Sequence, residues 1–275
     1  MAKITVLMPV YNTQEEYLRQ AIESILNQTF TDFEFIIMDD GSTNNAAQVI
    51  TSYQEKRIHF VQNKKNMGLS AVRNKLMQLA KTEYVAWADS DDISLPNRLE
   101  KQKNYLDKHP EVSYVGSWYE LFPKHYVRKL PEKVYIIDML RANITCESSA
   151  MYRRKDLENL FYDTSLIVAE DYDFWVRALL KGLQLINLQE VLLKCRQHSD
   201  NISRKKNIMK KDTQKVQDML IQNLSSDFII QKKLHHLFEE MRGIKIPLYK
   251  VKFKEGCRRY YLFGFIRILK LQGKK

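Results

Sequence analysis

Residues 84–96 read YVAWADSDDISLP, an apolar run that closes on Asp89, Asp91 and Asp92. Three carboxylates within four positions repel one another, and beside a sheet edge they also lose hydration, so leaving them uncompensated is costly. A divalent cation such as Mg²⁺ or Mn²⁺ removes that cost. These ions take oxygen ligands, and sites for phosphate-bearing molecules commonly use one or two carboxylates while the phosphates complete the shell. Two more apolar runs end in polar residues, PVYN at 9–12 and DDGS at 39–42, and a further acidic cluster, AEDYDFWVR at 169–177, supplies Glu170, Asp171 and Asp173. A single acidic turn is most often a helix cap or a solvated loop. Several such turns converging on one edge imply a shared ligand.

The elements that must bring them together follow from periodicity. Short β-rich runs near 4–9, 34–38, 58–62 and 84–88 alternate with helical patterns at about 15–28, 44–54, 69–81 and 96–108. This rhythm predicts βαβ units on a doubly wound sheet with helices on both faces. Pro96 is expected in the first turn of the last of these helices, where its missing amide hydrogen costs little. In such sheets ligands collect at the carboxyl ends of the strands, which is where PVYN, DDGS and DSDD fall.

A chain of 275 residues with 44% hydrophobic content can bury a sizeable core. Its net charge of +11 is unevenly spread: residues 1–193 sum to −3 and residues 194–275 to +14. A near-neutral body with a basic tail suggests an anionic partner, whether membrane, nucleic acid or polyphosphate. From 248 to 275 helical spacing puts Phe253, Cys257, Tyr260, Tyr261, Gly264 and Ile268 on one side and Lys252, Arg259, Arg267, Lys270 and Lys274 mostly on the other, predicting a basic amphipathic helix. Such a helix suits an anionic membrane surface, or packs on the main domain with its cationic face in water. No apolar run reaches the roughly 18–20 residues that cross a bilayer. The three cysteines are widely spaced and the chain runs from Met1 straight into ITVLMPV without a secretory leader, so a reducing cytoplasm is expected. A dinucleotide-dependent oxidoreductase is disfavoured, because PVYNTQEE holds no glycine where a G-x-G-x-x-G turn would be needed. A nucleic-acid-binding protein would account for the basic tail, yet it leaves the acidic clusters unexplained and unfavourable beside phosphate.

PVYN, QTFTDFEFIIMDDGST, NMGLSAVRN, WADSDD followed by LPNRL, and AEDYDFWVR together resemble the family 2 glycosyltransferases in order and spacing over roughly residues 3–200. The resemblance implies the GT-A nucleotide-sugar-binding fold as a doubly wound mixed sheet over residues 1–204, with a nucleotide-binding half at 1–110, an acceptor-side half at 111–204 and a basic helical extension at 205–275. It implies an inverting transferase of surface-polysaccharide or glycolipid assembly. The donor would be a UDP-sugar, with a dTDP-sugar next, and the acceptor a saccharide or lipid-linked saccharide. The cofactor would be Mn²⁺ or Mg²⁺. No nucleic-acid partner is expected, and the location is the cytoplasm with peripheral contact at the inner membrane face.

Carried over by position, the resemblance makes Pro9, Tyr11 and Asn12 a nucleotide-contacting loop, with Tyr11 suited to stacking on a base. Asp40 is matched to the carboxylate that accepts from uracil N3, Asp39 to a structural cap, and Arg73 to a cation near the base or pyrophosphate. Asp89 would hold the ribose or support the metal, Asp91 ligate the metal, and His198 approach it. Asp171 would be the general base that takes the acceptor proton. Arg196, Arg204 and Lys205 are phosphate-clamp candidates, and Trp118 and Tyr119 could stack on a sugar.

Overall fold

The computed structural model describes residues 2–140, 142–198, 206–226, 249–254, 257–262 and 266–272. The chain divides into two units, residues 1–213 and 214–275. The first is built on a nine-stranded mixed sheet. Its parallel half has the order β3 (Ile58–Gln62), β2 (Phe33–Asp39), β1 (Ile4–Val10) and β4 (Tyr84–Trp87), joined through α1 (Glu15–Leu26), α2 (Ala46–Thr51) and α3 (Leu69–Leu79). β1 is ITVLMPV and is buried at every position, as expected of a central parallel strand covered on both faces. Ile4, Val6 and Met8 share one buried cluster with Leu18, Ile22 and Ile25 of α1 and Val49 and Ile50 of α2.

Beyond β4 the sheet is mixed: β8 (Met151–Arg153) pairs antiparallel with β4 and with β6 (Val112–Phe122), β6 runs parallel to β9 (Gln184–Arg196), the two-residue β5 (Ile93–Ser94) pairs antiparallel with β9, and β7 (Tyr126–Arg128) pairs with β6. On this half an aromatic layer joins the sheet to α7 (Glu170–Leu180). Trp175 lies 4.4 Å from Tyr114, and Phe174 stacks on Tyr162 at 4.2 Å between ring centroids. Such pairs fix the angle at which α7 meets the sheet. The helix expected from Pro96 begins two residues later, as α4 (Arg98–Lys108), because the Pro96 carbonyl is committed to the Thr29 amide at 2.8 Å.

α8 (Lys206–Ser226) supplies a helix to the extension, and Asp212, Val216 and Leu220 form a buried stripe along it at four-residue spacing. The boundary expected after residue 204 falls inside this helix instead. In the second unit the amphipathic helix expected at 248–275 is replaced by a three-stranded antiparallel sheet: β10 (Tyr249–Lys254), β11 (Cys257–Leu262) and β12 (Ile266–Gln272). YKVKFK alternates polar and apolar residues with a period of two, as a strand does. No described helix is long and apolar enough to cross a membrane.

Candidate active site

The loops after β1 and β2 are tied to each other. Asn12 takes φ +52°, its side-chain oxygen accepts from the Thr43 amide at 2.8 Å, and its own amide donates to Ser42 Oγ at 2.8 Å. Asn12 therefore shapes this loop, leaving Tyr11 half exposed at its crest, while Pro9 is buried in β1. Asp39 caps the turn at Ser42 (3.0 Å) and accepts from Gln62 (3.0 Å), a structural role displaced from the helix cap expected of it. Asp40 is buried and organises the next loop, accepting from Asn63 Nδ2 (2.8 Å) and from the amides of Met67 (2.9 Å) and Gly68 (3.0 Å). The Met67 amide also reaches Oδ1 at 3.0 Å, so the three donors make four contacts across about four lone-pair positions. Gly41, at φ +70°, is required here: a Cβ would stand 2.8 Å from the Lys65 carbonyl carbon.

The loop after β4 is fixed from beneath by Arg98, which is fully buried. It donates to the Trp87 carbonyl at 2.6 Å, to Ser94 Oγ at 2.8 Å and to Gln102 at 3.1 Å, and burial lowers its guanidinium to about 10. Asp91 Oδ2 meets His198 Nε2 at 2.8 Å, so the two residues expected near a metal are brought together from positions 107 apart. Arg196 donates through Nε to the Asp91 carbonyl at 2.9 Å and packs over the Tyr17 ring at 4.1 Å. These contacts give it a loop-holding role; Arg204 and Lys205 lie outside the described residues. Asp92 accepts from Ser148 Oγ (2.8 Å) and the Arg196 amide (2.8 Å), joining three segments. Asp89 is one-third exposed and lies 3.5 Å from Arg73.

Arg73, expected near the base or pyrophosphate, is buried, donating to Glu170 at 2.6 Å with Asp89 at 3.5 Å, and it packs against the rings of Trp87 and Tyr162. It thus bridges the loop after β4 and the first turn of α7. The acidic residues of that turn divide by environment. Glu170 is buried on Arg73, and Asp173 is buried and paired with Arg177 at 2.6 Å. Asp171 alone is partly exposed, its Oδ2 accepting from Asn143 Nδ2 at 3.0 Å and its Oδ1 from the Tyr172 amide at 2.7 Å. Behind it sits buried Glu147, bonded to Tyr162 and to Trp175 Nε1 (2.6 Å). Asn143, Glu147, Ser148 and Arg98 were not singled out in the sequence. Only Arg98, inside LPNRL, carried a motif signal. Trp118 donates its indole N–H to the Leu130 carbonyl at 2.8 Å, spending its polar edge within the protein.

The site is overloaded with acid. Glu170, Glu147, Asp89 and Asp171 all draw on the one Arg73 guanidinium. Burial raises Asp89, opposed by Arg73 and reinforced by Asp91 and Asp171; burial likewise raises Asp92 strongly and Asp171. Glu147 and Glu170 are each pushed up to about 7, burial outweighing Arg73. A carboxyl whose folded value exceeds its unfolded value of about 4.3 binds protons more tightly in the folded state. Its stabilising contribution is complete below about pH 4 and is lost as pH rises through 7. The melting temperature without divalent metal should therefore be several degrees higher at pH 6 than at pH 8, each group contributing about 1 kcal/mol to the difference. A melting temperature that instead rose towards pH 8 would show these carboxyls ionised at no cost.

Among the described residues no three His, Cys, Asp or Glu side chains form a ready-made metal cage. Asp91 with His198, beside Asp89, offers the partial oxygen and imidazole donor set that suits an ion completed by substrate phosphates.

A parallel half extended by a mixed set of strands, with acidic loops at the carboxyl edge, is the architecture of the GT-A fold. The sequence profile of Glycosyl transferase family 2 matches residues 5–164, and the chain belongs to that family. It is 38% identical over 207 residues to an uncharacterized glycosyltransferase of Methanocaldococcus jannaschii, covering 70% of each chain. It is 30% identical over 221 residues to the amylovoran biosynthesis glycosyltransferase AmsE of Erwinia amylovora, covering 76% of this chain and 83% of AmsE. Among solved structures, S. aureus TarS 1–349 in complex with UDP-GlcNAc superposes with a TM-score of 0.70 at 21% identity, over 81% of this chain and 66% of that one.

Proposed function

We propose that this glycosyltransferase moves a sugar from a UDP-sugar to a hydroxyl of a saccharide or lipid-linked saccharide, with inversion at the anomeric carbon, in the assembly of a surface polysaccharide or glycolipid. The observation that carries this reading is the division of labour among the cleft acids. Asp89 and Asp91 line the end of β4, and Asp171 is the one acid of the α7 first turn open to the cleft. AmsE, named for amylovoran biosynthesis, and TarS, crystallised with UDP-GlcNAc, support the substrate class.

In this reading the exposed Tyr11 ring covers the uracil face, and an Asp40 oxygen accepts from the uracil N3–H. Asp91 and His198 would hold Mn²⁺ or Mg²⁺. A cation bound there supplies charge neutralisation of the departing diphosphate. Asn143 and the Tyr172 amide fix the Asp171 carboxylate, which takes the acceptor proton as the hydroxyl attacks the face opposite the leaving group. One displacement gives inversion.

A panel of UDP-glucose, UDP-galactose, UDP-N-acetylglucosamine and the matching dTDP-sugars, assayed for donor hydrolysis with Mn²⁺, Mg²⁺ or EDTA, tests the proposal. The expected result is metal-stimulated release of UDP from one or two donors. Equal inertness towards every donor, with no UDP-induced rise in melting temperature, would overturn it.

A further inference from the structure

We infer that Asp212, in the first half of α8, is a positioning residue for the catalytic base, so that the helix beyond the family-matched region completes the active site. The inference rests on the assignment of Asp171 as base.

The loop leading into α7 holds Leu166, Val168 and Ala169 inward, while Ile167 projects outward at 55% exposure. The crest of this loop therefore has no side-chain anchor of its own at residue 167. Its backbone is held by a carboxylate instead: Asp212 Oδ2 accepts from the Ile167 amide at 2.8 Å and the Val168 amide at 3.2 Å. Asp212 is 3% exposed, so this pair of bonds is made away from bulk water, where losing them leaves two amides unsatisfied. Ala169 follows directly as the residue before α7, and Glu170 and Asp171 form the first helical positions.

Three anchors thus converge on one turn: Arg73 on Glu170, Asn143 on Asp171, and Asp212 on the backbone just upstream. The first two act on side chains and set direction. Asp212 acts on the main chain and sets where the turn begins. A base must stand within hydrogen-bond reach of the proton it takes, and a displacement of about 1 Å can lower the rate about 10²-fold. Donor binding, by contrast, is built on the loops after β1, β2 and β4, which Asp212 does not contact through these bonds.

The test uses the full-length protein, the best donor of the panel above and UDP binding by calorimetry. Asp212→Ala should lower the turnover of donor hydrolysis about 10²-fold while donor KM and UDP affinity stay within about twofold. Asp212→Asn keeps an acceptor oxygen at the same place and should restore turnover to within about threefold of wild type. Asp212→Glu retains the charge but displaces it by one methylene, and should lose at least tenfold in turnover with UDP affinity intact; it decides the matter alone if the alanine variant does not fold. Turnover within threefold of wild type in a folded Asp212→Ala or Asp212→Glu protein would overturn the inference, as would a parallel loss of UDP affinity. If Asp171→Asn is inactive while Asp212→Ala is fully active, only this inference falls. If Asp171→Asn is itself active, both fall.

Discussion

Asp171→Asn should reduce sugar transfer, and donor hydrolysis in the absence of acceptor, by at least about 10³-fold, while UDP affinity stays within about twofold. General bases contribute about 10²- to 10⁴-fold, and the other two acids of the same turn are already committed. Glu170 is buried and committed to Arg73, and Asp173 to Arg177. The substitution also exchanges one acceptor oxygen for an amide donor. Since Asp171 accepts from both Asn143 and the Tyr172 amide, one of those two bonds must be given up. That cost is a single hydrogen bond of about 1 kcal/mol, offset by removing one charge from a crowded acidic cleft. The variant should therefore melt within a few degrees of wild type, which separates lost catalysis from lost folding. Because burial raises Asp171, the acid limb of the wild-type rate profile should lie above the ordinary carboxylate range. Retention of more than a tenth of the rate by the variant would move the base elsewhere.

Much of this arrangement was legible before any coordinates, for a local reason. β1, β2 and β4 announce themselves as apolar runs closed by polar residues, and a parallel sheet forces those closures onto one edge. The positions of Asp89 and Asp91 at such a closure are legible in this way, whereas Asp171 is singled out only by the family resemblance. What escaped depends on pairings distant in sequence. Glu147 matters because Tyr162 and Trp175 close over it, Asn143 because it reaches Asp171, and Arg73 because Glu170 arrives 97 positions later. An arginine in NMGLSAVRN looks ready for an anion. Nothing local shows that its anion is a buried glutamate of the same chain. The tail failed for a different reason. The helical spacing spans two glycines, whereas the first segment, YKVKFK, alternates as a strand does.

Asp91→Ala is the complementary case, in which binding is lost and folding is not. UDP affinity measured with Mn²⁺ should weaken by about 10- to 100-fold, and the residual affinity should no longer respond to EDTA, whereas the wild type should fall to a similar level when EDTA is added. The loop itself should survive, because its shape does not depend on this side chain. The Asp91 carbonyl is held by Arg196, Asp92 ties the loop to Ser148 and the Arg196 amide, and Arg98 supports the strand end from below. Removing one carboxylate also relieves repulsion on Asp89 and Asp92, both of which are raised in part by Asp91. The melting temperature without metal should accordingly stay level or rise. A site kept acidic at the expense of stability, and made more stable by the loss of its ligand, is what a cation-binding role demands and a structural role does not. Unchanged, EDTA-sensitive UDP binding in the folded variant would remove Asp91 from that role, leaving its 2.8 Å bond to His198 as a contact that only holds the end of β9 against the loop.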